Sequence, residues 1–189
     1  AGGRGDMYDP FQRVTLDTIK MNNLGFGDKP DYVKAKVHIA YIKYDSDKDP
    51  WYTACPLEGC NKKVIQEMDQ GWYCEKCNKS VPNCIRRYIL NISVMDCTGH
   101  SWVTAFNDVA VSLLDGQTAD DIQILKEVEK EKYEKIFREA CWKQYIIKMR
   151  IKKESVGDED RVKCTLMSAE PVDFVKESKA LLSLIASYD

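Results

Sequence analysis

Alternating apolar and polar positions mark five candidate strands along the chain. In residues 33–44 (VKAKVHIAYIKY) the odd-numbered positions from Val33 to Tyr41 carry apolar side chains, and in an extended chain these share one face. Similar alternation recurs in four later stretches, which are residues 86–97, 101–114, 143–154 and 161–169. The pattern predicts a mainly β fold.

Two other stretches have helical spacing. Residues 118–139 begin at Thr118, a residue type that caps helices, and carry carboxylates in the first turn, where the helix dipole favours negative charge. Their apolar stripe is interrupted around residues 129–132. Residues 172–187 follow Pro171 and are too apolar for a free terminal helix, so we expect them to dock on the body or on a helix of another chain.

The order of these elements predicts the fold. It is strand, insert, strand, strand, helix, strand, strand, which is the order of the OB-fold, a five-stranded Greek-key barrel. We predict a tether over residues 1–32 that packs on the barrel, a barrel over 33–171 with an insert at 51–84, and a terminal helix over 172–189. Within the tether, Gly-rich residues at the start suggest a linker, and Leu16 and Ile19 suggest a short strand or helical turn.

Four cysteines within the insert form two close pairs. The pairs are C-x4-C and C-x2-C, separated by thirteen residues, and they comprise Cys55, Cys60, Cys74 and Cys77. Two knuckles joined by a hairpin-length spacer present four thiolates tetrahedrally to one Zn²⁺. Because no His or carboxylate leaves an open coordination position nearby, we predict a closed structural zinc site.

The remaining four cysteines lie outside this spacing. Cys97 and Cys164 fall in strand patterns and are predicted to be buried thiols, and Cys141 has no motif around it. Cys84 is the only competitor as a metal ligand, and the spacing does not favour it. Disulfides would need an oxidising compartment, and the chain shows no export signal that would support one.

Composition fits a soluble globular protein. The 189 residues suffice for one domain, or one domain with a small inset, and 44% of them are hydrophobic. No apolar run reaches membrane-spanning length. The net charge of −2 neither supports nor excludes nucleic acid, so any basic binding surface must be local.

The motifs of the common enzyme classes are missing from the sequence. A zinc deaminase needs an H-x-E motif beside C-x-x-C, but His38 leads HIA and His100 leads HSW. There is no P-loop, nucleophile elbow or Gly-rich dinucleotide loop. We therefore expect a binding module without a catalytic site.

Five segments resemble one known family. They are NLGFGDKPDY (23–32), CNKKV (60–64), CEKC (74–77), SWVTAFND (101–108) and AEPVDF (169–174). Together they are similar to the C-terminal DNA-binding domain of the large subunit of replication protein A, the eukaryotic heterotrimer that binds single-stranded DNA, and the likeness covers about residues 10–187. The resemblance implies a zinc ribbon, a DNA groove and a terminal helix that joins helices of the middle and small subunits. It also implies a nuclear location, a role in DNA replication, repair and recombination, and no membrane partner.

The resemblance selects the residues for DNA contact. Trp102 and Phe106 lie four apart on a predicted strand, so both point to one face, and on spacing alone we would place them in the core. The resemblance instead implies that both stack on bases. It also matches Arg161 and Lys163, which share a strand face, with basic groove positions.

Three further cations are candidates for phosphate contact. Lys62 and Lys63 flank a zinc knuckle, and Arg150 lies on the basic fourth strand. Each is equally well read as a solvated surface charge. The chain departs from its relatives at Val156, where an aromatic residue can occur, so one stacking platform is expected to be absent.

The terminal helix leaves a second function open. Val172, Val175, Leu182 and Ile185 share roughly one face and are the predicted partner contacts. The chain could therefore act mainly as a subunit-assembly scaffold with secondary DNA affinity. It could also be a telomere-specialised paralogue, because the motifs do not separate that role from the general one.

Overall fold

The computed structural model describes residues 9, 12–45, 48–68, 71–156 and 159–188. The predicted N-terminal linker over residues 1–8 and the side chain of Val156 lie outside the described residues. The elements in chain order are α1 (Leu16–Met21), β1 (Asp31–Lys43), β2 (Trp51–Ala54), β3 (Ile65–Gln66), β4 (Trp72–Cys74), β5 (Lys79–Val81), β6 (Ile85–Asp96), β7 (Gly99–Phe106), α2 (Asn107–Leu113), α3 (Ala119–Val128), α4 (Lys130–Ala140), β8 (Gln144–Val156), β9 (Glu159–Pro171) and α5 (Phe174–Ala186).

The five long strands pair in a ring. The main sheet has the order β1-β8-β9-β7-β6-β2, and β1 also pairs with β6. β8 runs antiparallel to both β1 and β9, whereas β7 and β9 run parallel, with Thr104 opposite Thr165. This is the connectivity of the OB-fold, and it confirms the predicted fold class.

The chain forms two compact units. The first comprises the described residues within Ala1–Ile42, Asn91–Ala105 and Ala140–Asp189. The second comprises those within Lys43–Leu90 and Phe106–Glu139. The first unit holds most of the strand ring, and the second holds the cysteine insert and helices α2 to α4.

Inward-facing strand residues build the core of the first unit. Alternate residues of each strand point the same way, so one face of each strand is apolar and buried. The buried side chains include Ala35, Val37, Ile39, Ile92, Val94, Val103, Ala105, Ile147, Met149, Ile151, Cys164 and Leu166. The alternation breaks once in β1, because Ile42 rather than Tyr41 is buried next after Ile39. The continuous odd-numbered face predicted for this strand is therefore wrong at its end.

The N-terminal segment is fixed to the first unit by a short helix. α1 begins after Thr15, whose hydroxyl accepts a hydrogen bond from the Thr18 N–H at 3.3 Å. Leu16 and Ile19 are buried, and the Leu16 N–H donates to Asp96 Oδ2 at 2.7 Å. Of the two predicted alternatives for this segment, the helical turn is the one that forms.

The predicted strand over residues 101–114 is too long. β7 ends at Phe106, and α2 follows with Ala110 and Leu113 buried. Valines in the second half favoured a strand by propensity, but the burial of residues three apart follows the helical repeat. The tertiary contacts therefore override the local preference.

The predicted helix over residues 118–139 is two helices. Thr118 caps α3 as predicted, in a reciprocal capping box with Asp121. Glu129 then leaves helical geometry, with φ −139° and ψ 72°, at the predicted interruption of the apolar stripe. Phe137 of α4 stacks on Tyr44, with ring centroids 4.8 Å apart, and so packs the second unit.

Candidate functional site

The four knuckle cysteines come together in the second unit. Their Sγ atoms all lie within 4.8 Å of one another, and the Sγ atoms of Cys60 and Cys74 are 3.7 Å apart. Tetrahedral coordination with metal–sulfur bonds of about 2.3 Å separates the sulfurs by about 3.8 Å. The donor set and its spacing therefore fit one tetrahedrally coordinated metal ion.

A tight turn forms the first knuckle. Gly59 has φ +71°, a left-handed conformation that favours glycine. The Cys60 N–H donates to the Leu57 carbonyl at 3.0 Å, and the Cys55 N–H donates to the Lys62 carbonyl at 2.9 Å. These bonds close the turn that places both sulfurs of the knuckle on the same side.

The small sheet β3-β4-β5 presents the second knuckle. Cys74 ends β4, and Cys77 lies in the turn that leads to β5. Asn78 takes φ 52° in this turn, and its side chain accepts a hydrogen bond from the Tyr73 hydroxyl at 2.5 Å. The hairpin thus returns the chain so that both thiols face the first knuckle.

Hydrogen bonds and burial shift the pKa values of Cys55, Cys60 and Cys77. A hydrogen bond from the Lys62 backbone lowers the pKa of the Cys60 thiol to about 7. The hydrogen bond with Cys60 raises the pKa of Cys77 to about 12, and burial raises the pKa of Cys55. Metal ligation requires thiolates, so binding of the ion must release the protons of its ligands.

The other cysteines lie outside this cluster. Cys84 is half-buried and packs against it without joining the four clustered sulfurs. Cys164 is buried as predicted, but Cys97 is exposed, so that prediction is wrong. Cys97 follows the last residue of β6 and lies in the turn that Asp96 closes by accepting the Thr98 N–H at 2.8 Å.

An open cavity in the first unit collects the predicted groove residues. Its volume is about 400 Å³. The side chain of Lys163 makes an ion pair with Glu154 at 3.2 Å across this cavity's wall. The lining residues are Asn91, Trp102, Val103, Thr104, Glu154, Arg161, Val162, Lys163 and Cys164.

The two predicted stacking aromatics are both exposed. Along β7, Val103 and Ala105 are buried, whereas Trp102 is 51% exposed and Phe106 is 43% exposed. An edge-on contact with Tyr41, at 6.4 Å between ring centroids, steadies the indole. Trp102 therefore offers its ring to the cavity of the first unit, and Phe106 belongs to the second unit.

The pairing of β8 with β9 adds a cation that the sequence reading missed. Lys152 lies directly opposite Lys163, and Glu154 lies opposite Arg161. Because like charges opposite each other are destabilising, the Lys152–Lys163 pair favours an anion on this face. Pairing the two predicted strands, 143–154 and 161–169, back from the short connection between them would have placed Lys152 there.

The three less specific candidates have different settings. Arg150 is half-buried on the same strand face as Lys152, two residues away, and neither of these two cations lines the cavity. Lys62 and Lys63 are exposed beside the cysteine cluster in the second unit. The structure therefore groups Arg161 and Lys163 with Trp102, and does not group these three with them.

Helix α5 exposes an apolar face. Three predicted partner residues, Val175, Leu182 and Ile185, are exposed on it, whereas Val172 precedes the helix and is buried. The helix begins after Asp173, two residues later than predicted. Further large exposed side chains on or after it are Phe174, Leu181 and Tyr188. None of the helices in the described part of the chain has both the length and the apolar composition that crossing a membrane requires.

One buried carboxylate ties α5 to the first unit. Glu177 Oε1 and Oε2 accept hydrogen bonds from the Arg13 guanidinium at 2.9 and 2.8 Å, and Lys36 Nζ lies 2.8 Å from Oε1. The ion pair with Arg13 lowers the pKa of Glu177. Glu177 is the single acidic residue within α5, a signal that sequence reasoning could have used.

Known proteins show extensive similarity to this chain. One of the 70 kDa DNA-binding subunits of replication protein A from Arabidopsis thaliana is 39% identical over 92% of the chain. The corresponding protein from Drosophila melanogaster is 38% identical over 89% of it. The chain spans only about a quarter of the length of these relatives, 27% in both cases.

Solved structures agree with the sequence comparison. A chain of yeast replication protein A bound to single-stranded DNA superimposes with a TM-score of 0.82 at 31% identity, over 94% of this chain and 98% of that one. A chain of a replication protein A heterotrimer bound to single-stranded DNA gives 0.85 at 36% identity, over 94% and 40%. Residues 32–181 match the model of the replication factor-A C-terminal domain. The chain belongs to the replication factor-A C-terminal domain family.

Proposed function

We propose that this chain binds single-stranded DNA without strong sequence preference, as a non-enzymatic part of a heterotrimeric replication protein A complex. One observation carries the proposal, which is that exposed Trp102 shares a cavity with Arg161 and Lys163. The relatives are named as DNA-binding subunits, and two similar structures hold single-stranded DNA. Such a complex works in DNA replication, repair and recombination, and its place is the nucleus.

Binding combines stacking with charge. A base stacks on the face of Trp102 that the cavity leaves open, and the stack tolerates any base because each has a π-face. Arg161, Lys163 and Lys152 hold phosphates without reading sequence. Phe106 provides a second exposed ring on the same strand. Lys62, Lys63 and Arg150 are weaker candidates for phosphate contact.

The cysteine cluster holds one structural Zn²⁺. Four thiolates at the observed spacing satisfy a closed tetrahedral site, and no fifth donor is needed. When bound, the ion stabilises the fold of the insert and supplies no reaction. The two knuckle turns bring Cys55, Cys60, Cys74 and Cys77 together as its ligands.

Helix α5 is the second functional element. Its exposed apolar face, with Val175, Leu182 and Ile185, suits helices of the middle and small subunits of the heterotrimer. This face favours the second candidate function, an assembly scaffold with secondary DNA affinity. A telomere-specialised paralogue would share the same sites, so it differs only in sequence preference.

The first experiment is a fluorescence anisotropy titration of a labelled oligo-thymidine strand at two salt concentrations. The zinc-loaded chain is compared with the double variant Trp102→Ala/Phe106→Ala and with Trp142→Ala, which removes an exposed indole that does not line this cavity. Binding should weaken as the salt concentration rises. The double variant should lose about 1 to 3 kcal/mol of binding free energy or more, since that is the contribution of one stacked base. Equal affinities of the double variant and the wild type would refute stacking.

A second pair of substitutions separates the two functions. Leu182→Glu and Ile185→Glu place charges on the exposed face of α5, where they cost the fold little. If these variants no longer bind the partner subunits but bind the oligo-thymidine strand as the wild type does, then α5 serves assembly and the cavity serves DNA binding, independently of each other. If the wild-type chain does not bind the strand even at low salt, subunit assembly becomes the favoured function.

A further inference from the structure

A second cavity lies beside the first and shares a wall with it. Its volume is about 370 Å³, and Trp102, Val162 and Cys164 line both cavities. The rest of its wall is largely apolar, with Ile19 and Leu24 facing it. A pocket of this size and character, with few polar groups, is typical of sites that enclose a flat organic ring.

An aromatic ring that the proposed function leaves unused also lines this second cavity. Phe26 lines it and is 53% exposed, close to the 51% of Trp102. Two large rings left half in water around one apolar cavity cost hydrophobic free energy unless something covers them. Phe26 and Trp102 therefore form a matched pair of exposed faces around a single space.

The loop that carries Phe26 is held in place by its neighbours. Gly25 takes φ +90°, and its N–H donates to Asp31 Oδ2 at 2.7 Å. Its carbonyl accepts the Lys153 N–H at 2.8 Å, which ties the loop to β8. An added Cβ at Gly25 would stand only 2.8 Å from Ile151 Cγ2, so the loop already packs closely against that strand. The ring of Phe26 is thus presented by an ordered backbone, which reduces the entropy lost when a ligand binds.

The polar groups around the cavity identify its occupant. Lys20 lines the cavity, and its Nζ lies 3.4 Å from the His100 carbonyl, so a cation stands at the rim. Asn23 and Ser101 add neutral donors and acceptors that suit a base edge. Because the neighbouring cavity carries Arg161 and Lys163, an anionic chain that crosses it continues directly into this one.

We propose that Phe26 and Trp102 enclose a nucleobase of the bound strand, one nucleotide along from the base that stacks over the first cavity, and that Lys20 contacts its phosphate. The inference rests on the proposed function, since it extends the same strand by one subsite. Recognition is by ring stacking on Phe26 and by charge at Lys20. A free apolar ligand would use the same rings without needing Lys20.

The test is a titration of 2-aminopurine-substituted oligo-thymidine strands with this zinc-loaded chain, because the fluorescence of that base falls when it stacks. A single 2-aminopurine is moved along the strand, and each strand is titrated with the wild type and with Phe26→Ala, Phe26→Tyr and Phe26→Leu. The matched control is Trp142→Ala, which removes an exposed aromatic side chain of the same unit that lines neither cavity.

Removing the ring should weaken strand binding by about 5- to 150-fold, the range of one stacking contact. The quench should disappear at one strand position with Phe26→Ala and Phe26→Leu, and should persist there with Phe26→Tyr and Trp142→Ala. Lys20→Ala should reduce the slope of log affinity against log salt concentration by about 0.7, the share of one phosphate contact on a single strand.

Three results would overturn the inference in distinguishable ways. If Phe26→Ala binds and quenches like the wild type while Trp102→Ala does not, the groove stands and the Phe26 subsite falls. If the wild type does not bind the strand, the proposed function falls and the subsite falls with it. Retention of affinity and quench in Phe26→Leu would show that the side chain only packs the loop.

Discussion

The cysteine cluster and the Trp102 cavity are built in opposite ways. The four thiols come from 23 consecutive residues, Cys55 to Cys77, and the buried apolar cluster around them adds little more than Val64. The cavity draws its walls from four strands, β6 to β9, whose lining residues run from Asn91 to Cys164. The cysteine site is therefore built from residues close together in the sequence, with few buried apolar side chains around it. The cavity is built from residues far apart in the sequence and rests on many buried apolar side chains.

This difference separates two sources of order. A small module with little apolar burial cannot offset its chain entropy, so a metal must supply the missing free energy. The cavity needs no ligand to form, because the β8–β9 ladder and the buried strand residues beneath it fix its walls. The two regions should therefore respond to different perturbations.

Metal removal should have the largest effect and should act on one region. Structural zinc supplies about 10 to 16 kcal/mol in small modules, so chelation should unfold the insert. Hydrogen exchange should show loss of protection at the Cys55 and Cys60 amides, with protection retained in β8 and β9. Cys60→Ser should abolish zinc binding, whereas the matched variant Cys97→Ser should not. Unchanged protection of the insert after chelation would contradict its dependence on metal.

Glu177→Gln should destabilise the first unit, which contains the cavity. It leaves the Arg13 guanidinium buried without its carboxylate, which typically costs about 3 to 5 kcal/mol of unfolding free energy. Urea unfolding measures the change, and Glu170→Gln, at an exposed carboxylate of the same unit, should stay within about 0.5 kcal/mol of the wild type.

The pH dependence of the Glu177 effect has a definite sign. Arg13 lowers the pKa of Glu177 in the folded state, so its contribution is present above the ordinary carboxyl pKa and is lost as pH falls through the folded value. The gap between wild type and Glu177→Gln should therefore shrink below about pH 4.3. If the difference in stability widened on acidification, the ionised Glu177 carboxylate would not be the stabilising form.

Gly25→Ala sharpens the account of the cavity. The new Cβ would meet Ile151 Cγ2 at 2.8 Å and the Lys152 nitrogen at 3.2 Å, at a φ of +90° that alanine rarely adopts. We expect a loss of about 1 to 3 kcal/mol in unfolding free energy, with weaker binding of the oligo-thymidine strand because the loop shifts. Gly27→Ala is the matched control, since its Cβ would have 3.9 Å to the nearest atom. Equal stability of the two variants would show that the loop is not fixed as described.

Lys152→Ala should give the smallest effect, with opposite signs in two measurements. Removing one of two opposed lysines should raise unfolding free energy by about 0.2 to 1 kcal/mol. It should also reduce the salt dependence of strand binding by about 0.7 in logarithmic slope, the share of one phosphate contact on a single strand. Lys179→Ala, on α5, should change neither. Weaker stability with unchanged binding would show that Lys152 is structural.

The predicted strands are largely those observed, because alternation in a half-buried sheet is a local signal. The predicted strand over residues 101–114 failed in its second half, where Ala110 and Leu113 pack as a helix. Propensity could not reveal this, since the valines of that stretch suit either state and contacts distant in sequence decided between them.

The site shows the same division. Trp102 was identified only through resemblance, because spacing alone placed it in the core. Lys152, Glu177 and Phe26 were missed. Glu177 and Phe26 matter through residues far away in the sequence, Arg13 for the first and Trp102 for the second. Lys152 faces Lys163 only eleven residues away, so the register of two adjacent strands would have identified it.

The sequence by itself determined the cysteine ligand set, the strand-rich fold class and the apolar terminal helix, because each depends on spacing along the chain. The tertiary structure alone decided which exposed aromatics share a cavity and which carboxylate is buried against which guanidinium. Those properties follow from strand register and from how the connecting segments pack, and both are set by contacts between residues that the sequence holds far apart.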